Sequence, residues 1–572
     1  MTGSIGRFVR AAAPLIAALS WGGAGCDDTP VDFGAGADTD ASLHPAPNGA
    51  LDATQRWLDC SGAWTPKGKW GAEGDLGGDG GGYKDRSWGC LICDDAHSDD
   101  FRRTDVDLAV EAAERAERNR DIVPYDDDAP EVLYVSADDS NSQSSPIAVR
   151  QRILAGGLVP GDLLRVWEFL NYYGFAYGAP AGGKAIGVTA QLRPYDVAGG
   201  IYALQLGLQG KQVDAVRRKL NLTWSVDTSG SMSGESLALA QESMRAMAAH
   251  LRAGDIVSLV SWSTVQNVGL NSYEVAGPDD PSVLAAISSL VSGGSTDLNS
   301  GLVAAYDLAN ANFIENGMNR VVLLSDGGAN VGVTDADLIA EQAAGGEAEA
   351  IYLVGVGVGS ATTYNDALMD TVTDLGKGAS VFVDSVEEAH RDFEDNFLSN
   401  LEMVAHDVQI QLTLPPTFDM YEFLGEEYSE NAADVEPQNL GPNDAMTVQQ
   451  LIKTSRPDEV RALAEVSVHV TWTDAFTGLS DAADGTWTLQ ELVDAEADQL
   501  RKGDAIVVYV QTLGRIWELL GTGSTEAALG EVAVECSFGE SVLSDAIDAL
   551  GDPDLVDIQG LLTAYCDGLL YS

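Results

Sequence analysis

The block from residue 219 to about 400 alternates short apolar segments with amphipathic ones. The apolar segments have the length and composition of β-strands, and the residues after them repeat at the three-and-four spacing of helices. Strands are predicted at 222–226, 255–262, 320–324, 350–355 and 380–383, and helices at 235–251, 281–291, 298–313, 334–344, 364–375 and 386–400. Because such alternation produces a mainly parallel sheet with helices on both faces, the block predicts a doubly wound α/β fold.

An aspartate stands where the first of these strands ends. Residues 221–234 read N-L-T-W-S-V-D-T-S-G-S-M-S-G, so Asp227 closes the strand and Ser229 and Ser231 follow in a turn before the helix. Carboxylate and hydroxyl oxygens are hard ligands that suit Mg²⁺. On its own, this stretch is equally typical of a capped helix start.

Two further loops carry oxygen ligands to the same predicted edge of the sheet. The loop S-G-G-S-T-D-L-N-S-G-L, at 292–302, precedes a helix and presents Thr296, and S-D-G-G-A-N, at 325–330, follows a strand and presents Asp326. In a parallel α/β sheet, ligands bind outside the carboxyl ends of the strands. Five oxygen-bearing side chains from three loops therefore favour a metal site over a simple helix cap.

These three motifs, in this order, resemble the metal-ion-dependent adhesion site of von Willebrand factor A domains. The resemblance covers about 180 residues and implies the Rossmann-like fold of that family. It implies Mg²⁺, or alternatively Mn²⁺ or Ca²⁺, held directly by Ser229, Ser231 and Thr296, with Asp227 and Asp326 contributing chiefly through water. It also implies an open coordination position for an acidic residue of a protein partner. Neutral hydroxyl ligands would leave the cation attractive to a carboxylate.

The flanks resemble those of exported bacterial proteins that contain this domain. The resemblance rests on I-A-V-R-Q-R-I-L-A-G-G-L-V-P-G-D-L-L-R-V-W-E-F-L-N-Y-Y at 147–173, V-A-H-D-V-Q-I-Q-L-T-L at 404–414 and A-L-A-E-V-S-V-H-V-T-W at 462–472. Strands from both flanks are expected to form one antiparallel β-sandwich beside the central domain. The expected domains are 130–218, the A domain at 219–402, a β-rich half at 403–488, in which 478–487 is a loop or hairpin, and a helical C-terminal region at 489–572.

The N-terminus has the features of an export signal. Residues 1–26 combine Arg7 and Arg10, an apolar run at 11–21 and small residues directly before Cys26. The G-A-G-C sequence resembles a bacterial lipoprotein processing site, which predicts lipid attachment at Cys26, although Gly23 stands where leucine is usual. Plain secretion is the alternative. Residues 27–58 predict a disordered tether, and residues 59–129 form a segment rich in Cys, Trp and Gly.

The other cysteines predict disulfides, because an exported chain folds in an oxidising compartment. Cys536 and Cys566 form an isolated pair near the C-terminus and are expected to bond to each other. Cys60 is expected to pair with Cys90 or Cys93, and the choice between them stays open.

The charge balance limits the possible partners. The chain has 32 basic and 88 acidic residues, a net charge of −56. Such a surface repels nucleic acid and anionic lipid, so contact with a membrane is expected only through a lipid anchor. The charge favours cations, a basic partner or solubility in a salty medium.

No catalytic constellation is evident in the sequence. The six histidines are scattered, and G-S-M-S-G, at 230–234, has Met232 where a nucleophile elbow needs serine. The expected function is therefore metal-dependent protein binding or adhesion at the bacterial cell envelope, by a protein that is lipid-anchored or secreted and is not an enzyme. The alternatives are a structural or assembly scaffold without metal-gated binding and, less favoured, a metal-assisted hydrolase.

Overall fold

The computed structural model describes residues 129–138, 142–196, 199–213, 217–327, 351–360, 364, 368–369, 372–373, 380–454, 456–457, 462–521 and 525–570. The predicted export signal with Cys26, the tether and the segment with Cys60, Cys90 and Cys93 lie outside these residues. So do the helix predicted at 334–344 and most of the one predicted at 364–375.

The N-terminal flank contributes both strands and helices. Its elements are β1 (Glu131–Val135), α1 (Ser144–Leu154), α2 (Val166–Tyr172), β2 (Ile186–Asp196) and β3 (Ile201–Gly210). A 3₁₀ turn at Gly161–Leu163 precedes α2. β2 and β3 form an antiparallel hairpin.

The central block is a mainly parallel sheet with helices, as predicted. Its elements are β4 (Leu220–Asp227), α3 (Glu235–Ala249), β5 (Ile256–Trp262), β6 (Gln266–Glu274), α4 (Pro281–Ser288), α5 (Leu298–Ala311), β7 (Met318–Ser325), β8 (Tyr352–Val358), β9 (Ser380–Val383), α6 (Val386–His390) and α7 (Phe397–Leu401). The strand order is β6-β5-β4-β7-β8-β9. Every residue of β4 and β7 is buried, as expected for strands covered on both faces.

Two features of this block differ from the prediction. β6 was not predicted, and it lies antiparallel to β5 at the edge of the sheet with most of its residues exposed. The single helix predicted at 386–400 is broken by a π-helical turn at Arg391–Asp395. The Asn400 side chain donates to the Asp392 carbonyl oxygen at 2.8 Å, a contact that stabilises the irregular turn.

The C-terminal flank completes a β-sandwich. Its strands are β10 (Ala405–Leu414), β11 (Phe418–Phe423), β12 (Tyr428–Ser429), β13 (Gln438–Leu440), β14 (Ala445–Thr454), β15 (Glu465–Asp474) and β16 (Ser480–Thr488). One sheet has the order β12-β1-β10-β15-β16, with β13 also paired to β10, and the other has the order β11-β14-β3-β2. Both sheets therefore combine strands from before and after the central domain, which confirms the predicted sandwich.

The helical C-terminal region packs on the N-terminal flank. It consists of α8 (Leu489–Asp494), α9 (Asp498–Gly521), α10 (Glu526–Leu550) and α11 (Pro553–Leu570). Buried side chains of α1, α2, α9, α10 and α11, among them Val149, Phe169, Tyr509, Leu543 and Leu562, share one core. A disulfide joins Cys536 of α10 to Cys566 of α11, the predicted pairing. Within the described part of the chain, none of the helices has both the length and the apolar character needed to cross a membrane.

Candidate metal centre

Asp227 lies at the carboxyl end of β4, in the middle of the parallel sheet. β4 pairs with β5 on one side and with β7 on the other, so the side chain is fully buried. Its Oδ1 accepts a hydrogen bond from the Ser229 backbone N–H at 2.8 Å, and its Oδ2 accepts one from the Ser325 hydroxyl at 2.8 Å. Both carboxylate oxygens are therefore held in fixed positions by the two loops beside them.

Burial raises the pKa of Asp227 to about 6, although hydrogen bonds from Ser229 and Ser325 act in the opposite direction. The nearby carboxylate of Asp326 raises this pKa further, because like charges disfavour ionisation. Two carboxylates close together in a buried place are stabilised by a cation between or beside them. The electrostatics of Asp227 therefore favour cation binding.

The turn after Asp227 brings two hydroxyls together. Ser229 is buried and Ser231 is exposed, and their Oγ atoms lie 3.0 Å apart. The side chain of Met232 is fully buried in the core of the central domain, which anchors the turn. Gly234, with φ of 87°, then allows the chain to enter α3. The turn thus presents one buried and one accessible hydroxyl at the end of β4.

The loop that carries Thr296 is hydrogen-bonded directly to the Asp227 turn. The Gly293 N–H donates to the Thr228 carbonyl oxygen at 2.7 Å, and the Gly230 N–H donates to the Gly294 carbonyl oxygen at 3.1 Å. Thr296 is buried two residues farther on. The next residue, Asp297, caps α5 by accepting hydrogen bonds from Ser300. The second predicted loop therefore lies against the first.

The third loop is joined to the first through Ser325, the last residue of β7. Its hydroxyl donates to Asp227 and accepts a hydrogen bond from the Gly327 backbone N–H at 3.1 Å. Asp326, between these two residues, is buried and acts electrostatically on Asp227. Ser325 is not among the site residues predicted from the sequence. The signal that could have found it is the parallel register, because β4 and β7 pair Val226 with Leu324 and so place Ser325 beside Asp227.

The residues at this edge fit a hard divalent cation. Among the described residues, no group of three or more His, Cys, Asp or Glu side chains is placed to hold a metal, so a site here depends on hydroxyl oxygens as well as carboxylates. Adjacent oxygens of an octahedron with bonds of about 2.1 Å lie about 3 Å apart. The Ser229 and Ser231 oxygens, which share a hydrogen bond of 3.0 Å, are close enough to bind one ion together. An all-oxygen set with two carboxylates suits Mg²⁺ better than a softer metal.

The N-terminal flank contacts the same edge of the sheet. The Gln151 side chain of α1 donates to the carbonyl oxygen of Gly359, just beyond β8, at 2.8 Å. A Cβ at Gly359 would overlap the Ser236 hydroxyl at the start of α3, so the β8 end also lies against the helix that follows the candidate site. Nearby, Arg150 of α1 bonds Asp384 at 2.6 Å and Glu388 at 2.7 Å. The flank therefore closes the β8 and β9 side of this edge.

His250, the histidine nearest in sequence to the candidate site, follows the far end of α3. It stacks on Phe397 at a centroid distance of 4.8 Å, and burial lowers its pKa. The 15 residues of α3 separate it from the Asp227 turn by about 22 Å. His250 is therefore placed for packing and not for proton transfer at this edge.

Comparison with known proteins identifies the central block. Residues 225–329 match the family model of the von Willebrand factor type A domain. The chain is also 32% identical over 283 residues to the uncharacterized protein YfbK of Escherichia coli, a match that covers 47% of this chain and 48% of YfbK. The chain thus matches about half the length of this curated relative.

Solved structures with a similar arrangement include a von Willebrand factor type A protein from Catenulispora acidiphila and the ArnB paralog VWA2 from Sulfolobus acidocaldarius. The first is 12% identical, with a TM-score of 0.43, over 68% of this chain and 98% of that one. The second is 14% identical, with a TM-score of 0.36, over 67% of this chain and 98% of that one.

The residues that match the family model include Asp227, Ser229, Ser231, Thr296 and Asp326. The family match, on its own, establishes that the chain contains a von Willebrand factor type A domain.

Proposed function

We propose that this protein binds a protein partner through a divalent cation, most simply Mg²⁺, at the carboxyl edge of the central sheet. Von Willebrand factor type A domains commonly mediate protein–protein interactions and adhesion. The observation that carries the proposal is the junction of three loops around buried Asp227, with Asp326 beside it and the Ser229 and Ser231 oxygens 3.0 Å apart.

Each residue has a distinct task in this proposal. Ser229, Ser231 and Thr296 hold the ion directly through neutral oxygens, and Asp227 and Asp326 balance its charge, chiefly through water. Ser325 and the Ser229 backbone N–H fix the Asp227 carboxylate so that it does not need to reorganise when the ion binds. The bound ion supplies one open position for a carboxylate of the partner. Manganese and calcium ions also accept oxygen ligands, so either ion is the alternative to Mg²⁺.

We place this activity at the bacterial cell envelope, in an exported protein with a lipid anchor at Cys26. The support is the sequence of the first 26 residues, with its basic, apolar and small-residue regions before the cysteine. An N-terminal anchor followed by a tether would let the folded part reach partners at some distance from the membrane. The assigned class is a binding protein without enzymatic activity.

The test is capture of partners from envelope extract by the whole chain, with and without EDTA. A matched pair of variants sharpens it, because Ser231 and Ser233 are both exposed hydroxyls of one turn and only Ser231 is a proposed ligand. We expect Ser231→Ala to lose the EDTA-sensitive partners and Ser233→Ala to keep them. Partners that are unchanged by EDTA would contradict the proposal and support a scaffold role instead.

A further inference from the structure

The candidate site is bordered on its β5 side by three segments that contain both buried ligand candidates and exposed residues. We define the rim as residues 228–234, 263–265 and 291–296. The hairpin segment, residues 263–265, connects β5 to β6. It belongs to the rim because the Ser295 N–H donates to the Thr264 hydroxyl at 2.9 Å and the Asp297 N–H donates to the Ser263 carbonyl oxygen at 3.1 Å. The three segments are thus joined by hydrogen bonds into one surface.

Two valines project from this rim into solvent. Val265, at the tip of the β5–β6 hairpin, is 73% exposed, and Val291, before the Thr296 loop, is 80% exposed. Single exposed apolar residues are normal on protein surfaces. These two, however, lie in segments that are bonded to each other and to the Asp227 turn, so both flank the candidate site.

The rim also lacks charge. None of its residues is Asp, Glu, Lys or Arg, in a chain of which 21% of the residues are charged and the net charge is −56. An acidic tract approaching this protein would be repelled at long range by the rest of the surface, while the neutral rim would offer it no compensating cation. A lone carboxylate would meet less repulsion and would be compensated by the bound ion.

We propose that the site selects partners in which a single carboxylate is flanked by apolar, uncharged residues, and that it rejects acidic tracts. The carboxylate would reach the ion while its apolar neighbours cover Val265 and Val291, which removes apolar surface from water on both sides. The flank contacts at Gly359 close the β8 side of the edge, so the partner would approach over the β5–β6 hairpin. This inference rests on the proposed function and names the chemistry of its partner.

The probe is a phage library of nine-residue peptides with a fixed central Asp and random flanks. The whole Mg²⁺-loaded chain is used to retain phage, and EDTA is used to release them. We expect apolar flanks to be enriched and acidic flanks to be depleted. We further expect Val265→Ser and Val291→Ser each to weaken the selected peptides by about tenfold. Neither substitution should change Mg²⁺ affinity.

Val556→Ser is the matched control, because Val556 is a half-exposed valine on α11, outside the rim. It should bind the selected peptides as the wild type does. The inference would be overturned if the EDTA-released peptides had acidic flanks, or if neither rim substitution changed their affinities. Either outcome would leave the proposed function intact. Absence of any EDTA-released peptide would overturn the metal-dependent binding itself, and the inference with it.

Discussion

Asp227 and Glu422 are both buried carboxyl groups, and their surroundings give them different charge states near neutral pH. The pKa of Asp227 rises only to about 6 because hydrogen bonds from Ser229 and Ser325 partly offset its burial. Burial raises the pKa of Glu422, on β11, to about 8. At pH 7, Asp227 therefore carries a negative charge, as the proposed cation site requires, whereas Glu422 stays protonated within the fold.

Glu422 should make the folded protein less stable as pH rises. At pH values between the ordinary pKa of 4.5 and the folded-state pKa of about 8, Glu422 has lost its proton in the unfolded chain and has kept it in the native chain. The native state then binds more protons, so the free energy of unfolding falls across this window, by roughly 5 kcal/mol in total. Below pH 4.5 both states are protonated and the effect disappears.

Glu422→Gln should flatten this pH dependence, because the amide is neutral at every pH. The hydrogen bond from the Gln511 side chain, 3.3 Å long, can be kept by the Gln oxygen. We expect the variant to be more stable than the wild type at pH 8 and similar at pH 4.5, as measured by denaturant unfolding at both values. A pH profile parallel to that of the wild type would show that Glu422 is not the group responsible.

At the scale of elements, the sequence predicted those strands and helices whose burial follows a simple pattern. β4 and β7 are buried along their whole length, and both strands were predicted from their apolar residues. β6 was missed because it is mostly exposed and has no apolar face to generate an alternation. β14 was missed because buried polar residues interrupt its apolar pattern. One of them, Gln449, donates to Asp504 of α9 at 2.6 Å, a partner distant in sequence.

In the candidate site too, some residues can be predicted from local sequence and others depend on tertiary contacts. Its five proposed ligand residues could be selected from the sequence because each follows a strand or precedes a helix. Ser325, the rim hairpin and the contact of α1 with Gly359 depend on strand register and domain packing. Local residue patterns do not contain those contacts.

The packing of α5 on β5 depends on a glycine. A Cβ at Gly301 of α5 would overlap the indole ring of Trp262, which is fully buried and donates to the Ser225 hydroxyl at 3.0 Å. We expect Gly301→Ala to lower the free energy of unfolding by about 1–3 kcal/mol, because the helix must move away from the sheet.

Gly530→Ala on α10 is the matched control. A Cβ there would meet no atom within 4 Å, so better helix propensity should raise stability by about 0.5–1 kcal/mol. The two substitutions should therefore shift the thermal unfolding midpoint in opposite directions. Shifts of the same sign would contradict the close packing of α5 on Trp262.

At the scale of the whole molecule, a partly buried ionic cluster joins the N-terminal flank to the A domain. Arg150 of α1 bonds Asp384 and Glu388, and Arg391 also bonds Glu388, at 2.6 Å, and lies 3.6 Å from the ring centroid of Tyr172. Asp384 and Glu388 are mostly shielded from water, so they depend on these partners.

Removal of Arg150 should weaken this connection between the domains. Arg150→Ala leaves two buried carboxylates without one of their cations, and we expect a loss of about 2–4 kcal/mol in unfolding free energy. Arg245→Ala, which removes a more exposed pair with Glu242, should cost at most about 0.5 kcal/mol. Calorimetric unfolding measures both. Equal effects of the two substitutions would show that the ionic cluster does not hold the flank in place.

The central claim is that the carboxyl edge of the sheet binds a divalent cation, and titration of the whole chain with Mg²⁺ in a calorimeter tests it most directly. Asp227→Asn keeps the size of the side chain and removes its charge, whereas Asp280→Asn alters an aspartate that caps α4. We expect the wild type and Asp280→Asn to bind one Mg²⁺ per chain and Asp227→Asn to bind none. Equal heats from the wild type and Asp227→Asn would contradict the account.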